Sequence, residues 1–290
     1  MFKVYAFLKR NPKLTHDEYR AGHVGYHCGQ SRRLKDIRGY LVNVWANEPL
    51  VEKIGPLHAE ITINEPKDFL EHWDGFPQVY FDNQQSWVEA RTVEPNRATA
   101  DGLVVDPDWS LADSPHLFMP APDNPNQFRA HHLHMEEHVI VPVRRPEFKL
   151  TKLIQFFQKR ADLSDEDFSR RLLEEYAPLA ATMQGLRGFV VNLRDHDEEA
   201  ALRDFFAPND WVFSEDGTAA RREFCALWCG DNELHFDCIA DFVRARTDPR
   251  VREPLQALEA ELFESLWTIE VDENLIVIPN RDPAPDFYFR

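Results

Sequence analysis

The stretch FLKRNPKLTHDEY at residues 7–19 returns as FQKRADLSDEDF at residues 157–168, and this repeat decides the fold. A second pair of blocks, IRGYLVNV at 37–44 and LRGFVVNL at 186–193, follows in the same order and at nearly the same spacing. Two such pairs in one order indicate that the chain contains two copies of one module.

The residues of each copy predict its elements. The alignment pairs Phe7 with Phe157 and needs one gap before the helix. A first strand rich in aromatic and β-branched residues is followed by Thr15, a good helix N-cap because Glu18 stands three residues later. Ser164 takes the same place in the second copy. Each copy then continues as strand, strand, helix and strand.

This βαββαβ order is typical of a ferredoxin-like unit, an antiparallel sheet with helices on one face. The opposite face of each sheet is expected to be bare and apolar, so two units can stack these faces against each other. The predicted fold class is α+β: two tandem ferredoxin-like (βαββαβ) repeats form an intramolecular dimeric α+β barrel. We place the first repeat at residues 1–146 and the second at residues 147–290.

The two copies are not equivalent. The first carries extra residues before its last strand, within a proline-rich stretch at 100–130 that we expect to act as an inserted loop over a pocket. Of the 12 histidines, only His196 and His235 lie in the second copy. We therefore expect the active site in the first repeat and a degenerate, mainly structural second repeat.

Composition excludes several classes of function. The net charge of −17 repels phosphate backbones and anionic lipids, so we expect neither nucleic-acid nor membrane partners. The chain shows no apolar run of 18 residues, no signal-peptide pattern, no CxxC pair and no nucleotide-binding glycine motif. These features predict a cytoplasmic protein, and homo-oligomerisation of the pseudo-dimeric chain is left open.

Several blocks resemble one family. FLKRNPKLTHDEYRAGHVGYHCG, RGYLVN, WDGFPQVYF and EEHVIV are similar to the EthD-like family of the dimeric α+β barrel superfamily. In that family the first helix carries a Trp-x3-His pattern; here His27 falls on the histidine and His23 on the tryptophan. Asp74 falls on the aspartate of the family's Asp-Gly before the third strand, and the second copy has Tyr176 in place of the histidine. The resemblance implies the barrel architecture. Relatives include proteins of ether and aromatic degradation, fungal polyketide decarboxylases, cofactor-free monooxygenases and haem enzymes.

The first helix carries the strongest candidate site residues. His23 and His27 lie on one helical face, where the second copy has Leu172 and Tyr176. Because the fold does not require imidazoles at these places, we interpret them as the wall of a polar pocket. The alternative is a pair of core histidines bonded to backbone carbonyls.

The last strand of the first copy offers a second group. His132, His134, Glu136 and His138 share one strand face, although alternation alone does not say whether this face meets the helices or the opposite sheet. The alternative is a solvated strand end. The spacing of these imidazoles also permits a zinc, iron or copper site, yet no tight metal motif is present, and we predict no metal and no cofactor.

Other residues complete the predicted site. Asp74 either forms a turn or orients a catalytic histidine. The predicted substrate-binding wall consists of Tyr5, Tyr40, Trp73, Tyr80, Trp87 and His132.

The leading functional hypothesis is a cofactor-independent enzyme of lyase or isomerase type, acting on a small apolar aromatic or polycyclic compound, as in aromatic compound degradation or polyketide metabolism. His27 would be the general acid–base for elimination, decarboxylation, isomerisation or cyclisation, because an imidazole pKa near 6.5 serves both directions. His23 and His134 would polarise a carbonyl or shuttle the proton, and Asp74 would orient a ring. The alternatives are an oxidoreductase (a cofactor-free monooxygenase, or a haem or metal enzyme) and a non-catalytic module that binds hydrophobic ligands.

Overall fold

Eight antiparallel strands close into one barrel in the computed structural model, which describes residues 1–32, 34–67, 69–91, 117–118, 130–204 and 207–279. The strands are β1 (Phe2–Leu8), β2 (Gly39–Trp45), β3 (Gly75–Phe81), β4 (Ala130–Val141), β5 (Thr151–Lys159), β6 (Leu186–Arg194), β7 (Gly230–Phe236) and β8 (Phe263–Val277). They follow one another around the barrel in the order β1-β3-β2-β8-β5-β7-β6-β4.

Short helices cover the outside of the barrel. In the first half of the chain (residues 1–146) they are α1 (His16–Ala21), a π-helical turn (Gly22–His27), α2 (Cys28–Ser31), α3 (Leu50–Ile54), α4 (Leu57–Glu60), α5 (Phe69–His72) and α6 (Gln84–Arg91). In the second half (residues 147–290) they are α7 (Asp165–Arg171), a π-helical turn (Leu172–Tyr176), α8 (Ala177–Ala180), α9 (Ala200–Arg203), a 3₁₀ turn (Trp211–Phe213), α10 (Glu215–Cys225), α11 (Ile239–Thr247) and α12 (Pro249–Leu262).

The same strand order occurs in both halves. The first half contributes β4-β1-β3-β2 and the second half β8-β5-β7-β6, and the two sheets meet at the β2–β8 and β4–β6 seams. The predicted α+β class and the closed barrel are therefore confirmed. The barrel has no free edge strand, which removes the unpaired backbone groups that an open sheet would expose.

The expected helix caps are also present. The Thr15 side chain accepts from the backbone of Glu18, whose carboxylate accepts from Thr15 in return, a complete capping box. Ser164 caps α7 in the same way, through the backbone of Asp167. The π-helical turns that follow in both halves were not predicted, because a single inserted residue leaves the helical period nearly unchanged.

The structure corrects the sequence alignment of the first strands. Leu8 lies opposite Gly75, and Phe157 lies opposite Gly230, so Leu8 rather than Phe7 is the equivalent of Phe157. Phe7 points into the barrel, whereas Phe157 points toward the helices of its half. The gap in the alignment is unnecessary, since pairing through Leu8 keeps every side chain of the strand on the correct face.

The barrel interior is only partly apolar, which corrects the expectation of two bare hydrophobic faces. One end holds an aromatic cluster that includes Tyr5, Phe7, Phe76, Phe156 and Trp267. The remaining inward positions carry charged and amide side chains. These are Lys3, Gln78, Lys152, Asn192, Asp231, Glu233, His235 and Glu273, all of them buried, and together they form the barrel belt.

The two halves also exchange helices. Leu50, Ile54 and Leu57, from α3 and α4 of the first half, pack into the helix-side core of the second half. Ala201, from α9 of the second half, packs into the helix-side core of the first. Each helix layer therefore contains residues of both halves.

Candidate active site

Two imidazoles lie between the first helix and the sheet of the first half. The rings of His23 and His27 are 5.3 Å apart in an edge-to-face arrangement. The ring of Phe118 packs edge-on against both, at 5.2 and 5.4 Å. Nδ1 of His23 lies 3.1 Å from the hydroxyl of Tyr19, one helical turn earlier. We call Tyr19, His23, His27 and Phe118 the histidine site.

The histidine site holds its buried groups in the neutral form. Burial, and then the neighbouring His27, lower the pKa of His23 well below its ordinary value. Burial raises the pKa of the Tyr19 hydroxyl well above its ordinary value. His23 is fully buried, and its Nε2 has no hydrogen-bond partner within the described part of the chain. His27 is only half-buried.

The floor of the histidine site is the helix-facing surface of the first sheet. Leu133 and Met135 belong to the interior aromatic cluster, so the alternate residues His132 and His134 face the helices. This settles the orientation that strand alternation left open. His132 lies beside Ala6 of β1.

His134 belongs to a different group from His23 and His27. Its Nε2 lies 3.3 Å from the carboxylate of Asp204, just after α9 of the second half. Its ring packs against Phe2 at 4.6 Å. Burial lowers the pKa of His134, against the opposing charge of Asp204. Asp204 was not foreseen, because a contact between the halves leaves no mark on local sequence.

Leu117 and Phe118 are the only described residues of the proline-rich stretch between 100 and 129. The backbone N–H of Asn11 donates to the Leu117 carbonyl at 2.8 Å, which holds this pair over the end of β1. Both residues are buried, and Phe118 covers the two imidazoles. The rest of the predicted inserted loop lies outside the described residues.

Asp74 is the centre of an ionic cluster at one end of the barrel. Its carboxylate lies 3.0 Å from Lys9 Nζ and 3.1 Å from Arg10 Nη1, and it accepts from the Arg10 backbone at 3.0 Å. Nδ1 of the His16 imidazole lies 3.8 Å from the Asp74 carboxylate. Burial alone would raise the pKa of Asp74, but hydrogen bonds from His16, the Arg10 backbone and Lys9 lower it to about 2.

Replacing Asp74 with asparagine is expected to lower the free energy of unfolding at pH 7 by about 1–3 kcal/mol, because the partly exposed Lys9 and Arg10 lose the charged, buried acceptor that they share. A lowered pKa means that the carboxylate stabilises the fold fully above its ordinary pKa of 3.8, and that this contribution disappears as the pH falls toward about 2. Urea unfolding of both proteins over this range measures the effect. If the difference in free energy of unfolding between the wild type and Asp74→Asn stayed constant with pH, the prediction would be wrong.

The predicted substrate-binding aromatics are divided between two sides of the sheet. Tyr40 and Trp87 belong to the helix-side core of the first half, together with Tyr19 and Phe118. Tyr5 and Tyr80 point into the barrel, where the ammonium group of Lys3 lies 5.8 and 5.2 Å from their rings. Trp73 packs edge-on against Phe7 and Phe224 near the barrel end.

The barrel belt was missed from the sequence, and it joins the two halves. Lys3 Nζ lies 2.8 Å from Asn192 Oδ1 and 3.0 Å from Glu233 Oε1. Gln78 also donates to Glu233, at 2.6 Å, and Lys152 lies 2.7 Å from its other oxygen. Burial would raise the pKa of Glu233, but Lys152 and Lys3 lower it overall.

Further belt residues extend this network. Glu273 lies 3.2 Å from Lys152 and 3.3 Å from the ring of His235. Burial, and then the charge of Glu233, raise the pKa of Asp231 to about 7. The sequence does show that Asp231, Glu233 and His235 alternate along one strand. This pattern normally indicates a strand with one face in water, so it did not predict a buried charged network.

A cleft of about 370 Å³ opens at the β2–β8 seam. Its lining residues are His16, Arg20, Trp45, Ala46, Asn47, Lys149, Leu150, Thr151, Glu270, Val271 and Asp272. Asp272 pairs with both Arg20 and Lys149, and Glu270 pairs with Lys53 at 2.6 Å. The charges of this cleft therefore neutralise one another.

Within the ranges that the structure describes, no three histidine, cysteine, aspartate or glutamate side chains gather into a group that could hold a metal ion. None of the described helices is long and apolar enough to cross a membrane.

Comparison with known proteins places the chain by its fold. No described protein family and no curated protein matches the sequence. Among solved structures, the chain is similar to an anthrone oxidase-like protein, with a TM-score of 0.50 and 6% identity over 98% of this chain and 95% of the other. The likeness is one of fold, a closed barrel of eight antiparallel strands with helices outside it.

Two further structures come from bacteria. A proposed monooxygenase of Lactobacillus acidophilus has a TM-score of 0.46 and 10% identity, over 94% of both chains. A proposed monooxygenase of Fusobacterium nucleatum has a TM-score of 0.48 and 6% identity, over 97% of this chain and 94% of the other.

These comparisons correct the leading functional hypothesis. The anthrone oxidase-like structure carries the name of an oxidoreductase. This name agrees with the alternative reading, an oxidoreductase, and not with a lyase or isomerase. A role in aromatic degradation is likewise unsupported.

Proposed function

We propose that the chain is an oxidoreductase in which the histidine site removes a proton from an acidic aromatic ketone or phenol, so that dioxygen can react with the resulting carbanion. The observation that carries this proposal is the buried, neutral His23, with the Tyr19 hydroxyl on Nδ1 and an unpartnered Nε2 within the described chain, directly beside His27.

The proposal uses one tautomer of His23. In it the Tyr19 hydroxyl, whose raised pKa keeps it protonated, donates to Nδ1, and Nε2 carries the proton. A neutral Nε2–H then donates to the substrate oxygen as negative charge develops on it. Such a prearranged donor in a water-poor site stabilises the transition state more strongly than the same donor in water.

His27 is the proton acceptor. Burial disfavours the charged form of His23, so we assign proton removal to the neighbouring His27, which is half-buried. The edge of Phe118 covers both rings and leaves an apolar wall suited to a flat aromatic substrate.

The electrons balance with dioxygen as the oxidant. His27 takes one proton from a methylene group conjugated with the carbonyl, and the carbanion forms a C–O bond to dioxygen. The peroxide takes up a proton, then loses its remaining C–H proton while the O–O bond breaks. A new carbonyl forms and water leaves, so the methylene carbon is oxidised and dioxygen is reduced.

The name of the anthrone oxidase-like structure suggests the probe. Anthrone has an acidic methylene group between two aromatic rings, and its oxidation product is anthraquinone. We expect the protein to accelerate the formation of anthraquinone, measured by absorbance, with one dioxygen consumed per anthrone in an oxygen electrode. A rate equal to that in buffer, or loss of anthrone without dioxygen uptake, would contradict the proposal.

We also propose that residues 1–146 and 147–290 are tandem ferredoxin-like repeats of the EthD-like family, the second without a catalytic histidine. Three observations support this organisation. The strand order is identical in the two halves, a π-helical turn follows the first helix of each half, and Gly75 and Gly230 take equivalent places. A small aromatic substrate in the first repeat and a cytoplasmic location remain predictions.

A further inference from the structure

The corrected strand register shows which residues occupy the same place in the two halves. Leu8 and Phe157 are equivalent because each lies opposite the first glycine of the neighbouring strand. Two residues earlier on each strand, Ala6 is therefore the equivalent of Gln155. Both side chains lie on the helix-facing surface of their sheet, because they alternate with the residues that point into the barrel.

In the second half, the side chain of Gln155 contacts the end of the first helix of that half. The Tyr176 hydroxyl donates to Gln155 Oε1 at 3.0 Å, and Asn232 Nδ2 donates to the same oxygen at 3.0 Å. Tyr176 also lies 3.3 Å from Glu259, which is paired with Arg246 at 3.0 Å. All of these side chains are buried, so they fill the space between helix and sheet.

In the first half, the same helix position is His27 and the same sheet position is Ala6. The side chain of Ala6 ends at Cβ, which removes the amide group that meets the helix in the second half. The cross-strand neighbour of Gln155 on β8 is Thr268, whereas the neighbour of Ala6 on β4 is His132. The sheet positions that correspond to those below Tyr176 thus carry a methyl group and, beside it, an imidazole.

We propose that Ala6 is the specificity-determining floor of the histidine site, leaving below His27 the space in which one flat aromatic ring of the substrate lies, and that Gln155 closes the equivalent space in the second half. This inference rests on the proposed function for the identity of the substrate. A ring seated on Ala6 lies under His27 with His132 at its edge. Only the first half then binds the aromatic ligand.

The test is an Ala6→Gln variant, compared with Ala6→Ser as a control that adds a single oxygen. Binding of anthraquinone is followed by quenching of tryptophan fluorescence, and oxidation of anthrone by absorbance. Ala6→Gln is expected to weaken binding at least about tenfold and to lower turnover in parallel, because its side chain takes the place of the ring. Ala6→Ser is expected to give values between those of the wild type and Ala6→Gln, because it adds one oxygen rather than a whole side chain, and a melting curve checks that each variant is folded.

The reverse variant, Gln155→Ala, distinguishes the role of the second half from that of the first. It is expected to lower the melting temperature, since Tyr176 and Asn232 lose their shared acceptor, and to leave oxidation of anthrone unchanged. If the wild type binds anthraquinone but does not oxidise anthrone, and Ala6→Gln no longer binds, the inference is preserved and the proposed function is overturned. Equal binding by wild type and a folded Ala6→Gln, or no binding by the wild type, would overturn the inference itself.

Discussion

Replacement of His27 by phenylalanine is expected to leave the fold intact and to lower the turnover of anthrone by about two to four orders of magnitude, the usual contribution of a general base. The fold should tolerate the change because the equivalent residue of the second half is already aromatic, Tyr176. His23→Leu, which copies Leu172, is expected to cause a smaller loss through the missing donor to the substrate oxygen. Steady-state rates and melting temperatures of both variants measure the effect.

Tyr176→Phe is the matched control in the second half. It removes the hydrogen bonds to Gln155 and Glu259, so it is expected to lower the free energy of unfolding by about 1–2 kcal/mol and to leave turnover unchanged. If His27→Phe remained fully active, His27 would be a core histidine. If Tyr176→Phe were inactive, the reaction would not belong to the first half alone.

Glu233→Gln is expected to be the most destabilising single substitution, by about 3–5 kcal/mol, because it leaves two buried ammonium groups without their shared carboxylate. Glu233 lies 3.0 Å from Lys3 and 2.7 Å from Lys152, and all three side chains are nearly inaccessible to water. Chemical denaturation at pH 7 gives the difference from the wild type.

The control for this prediction is an exposed ion pair. Asp237→Asn breaks the contact with Arg187 on the surface and should change stability by less than about 1 kcal/mol. In the double variant Lys152→Met/Glu233→Gln, part of the lost stability should return, because one unpaired ammonium group is removed with the carboxylate. Similar losses in Glu233→Gln and Asp237→Asn would show that the barrel belt does not join the halves.

The α+β class and the closed barrel could be predicted from the sequence, because two stretches of the chain carry similar patterns. The capping residues Thr15 and Ser164 followed from local pattern. The alignment around Phe7 was one residue out of register, since Leu8 and Phe157 are equivalent, and the repeat alone offers several aromatic matches at the start of the strand.

The choice of site residues depended on differences between the two halves on one element. His23 and His27 were chosen because the second half has Leu172 and Tyr176 in their place, and the structure brings the two rings together. His134 was assigned to the same cavity although strand alternation did not fix its orientation, and its partner Asp204 comes from the other half of the chain.

The barrel belt escaped prediction for a physical reason. Alternating charges on a strand indicate water on one face, unless a second sheet supplies counter-charges. Here Lys3 of the first half supplies them to Glu233 of the second, a pairing that exists only once the barrel has closed. The prediction that Asp74 orients a catalytic histidine did not include Lys9 and Arg10, whose side chains lie 3.0 and 3.1 Å from its carboxylate.

Hydrogen–deuterium exchange of the anthrone methylene group without dioxygen tests the central claim most directly, because it isolates proton removal at the histidine site from oxidation. NMR in heavy water under nitrogen follows the loss of the methylene signal. The wild type and Tyr176→Phe are expected to accelerate this exchange over buffer, and His27→Phe is expected to abolish the acceleration. Aerobic oxidation of anthrone by a wild-type protein that shows no exchange under nitrogen, or equal exchange by His27→Phe, would contradict the claim.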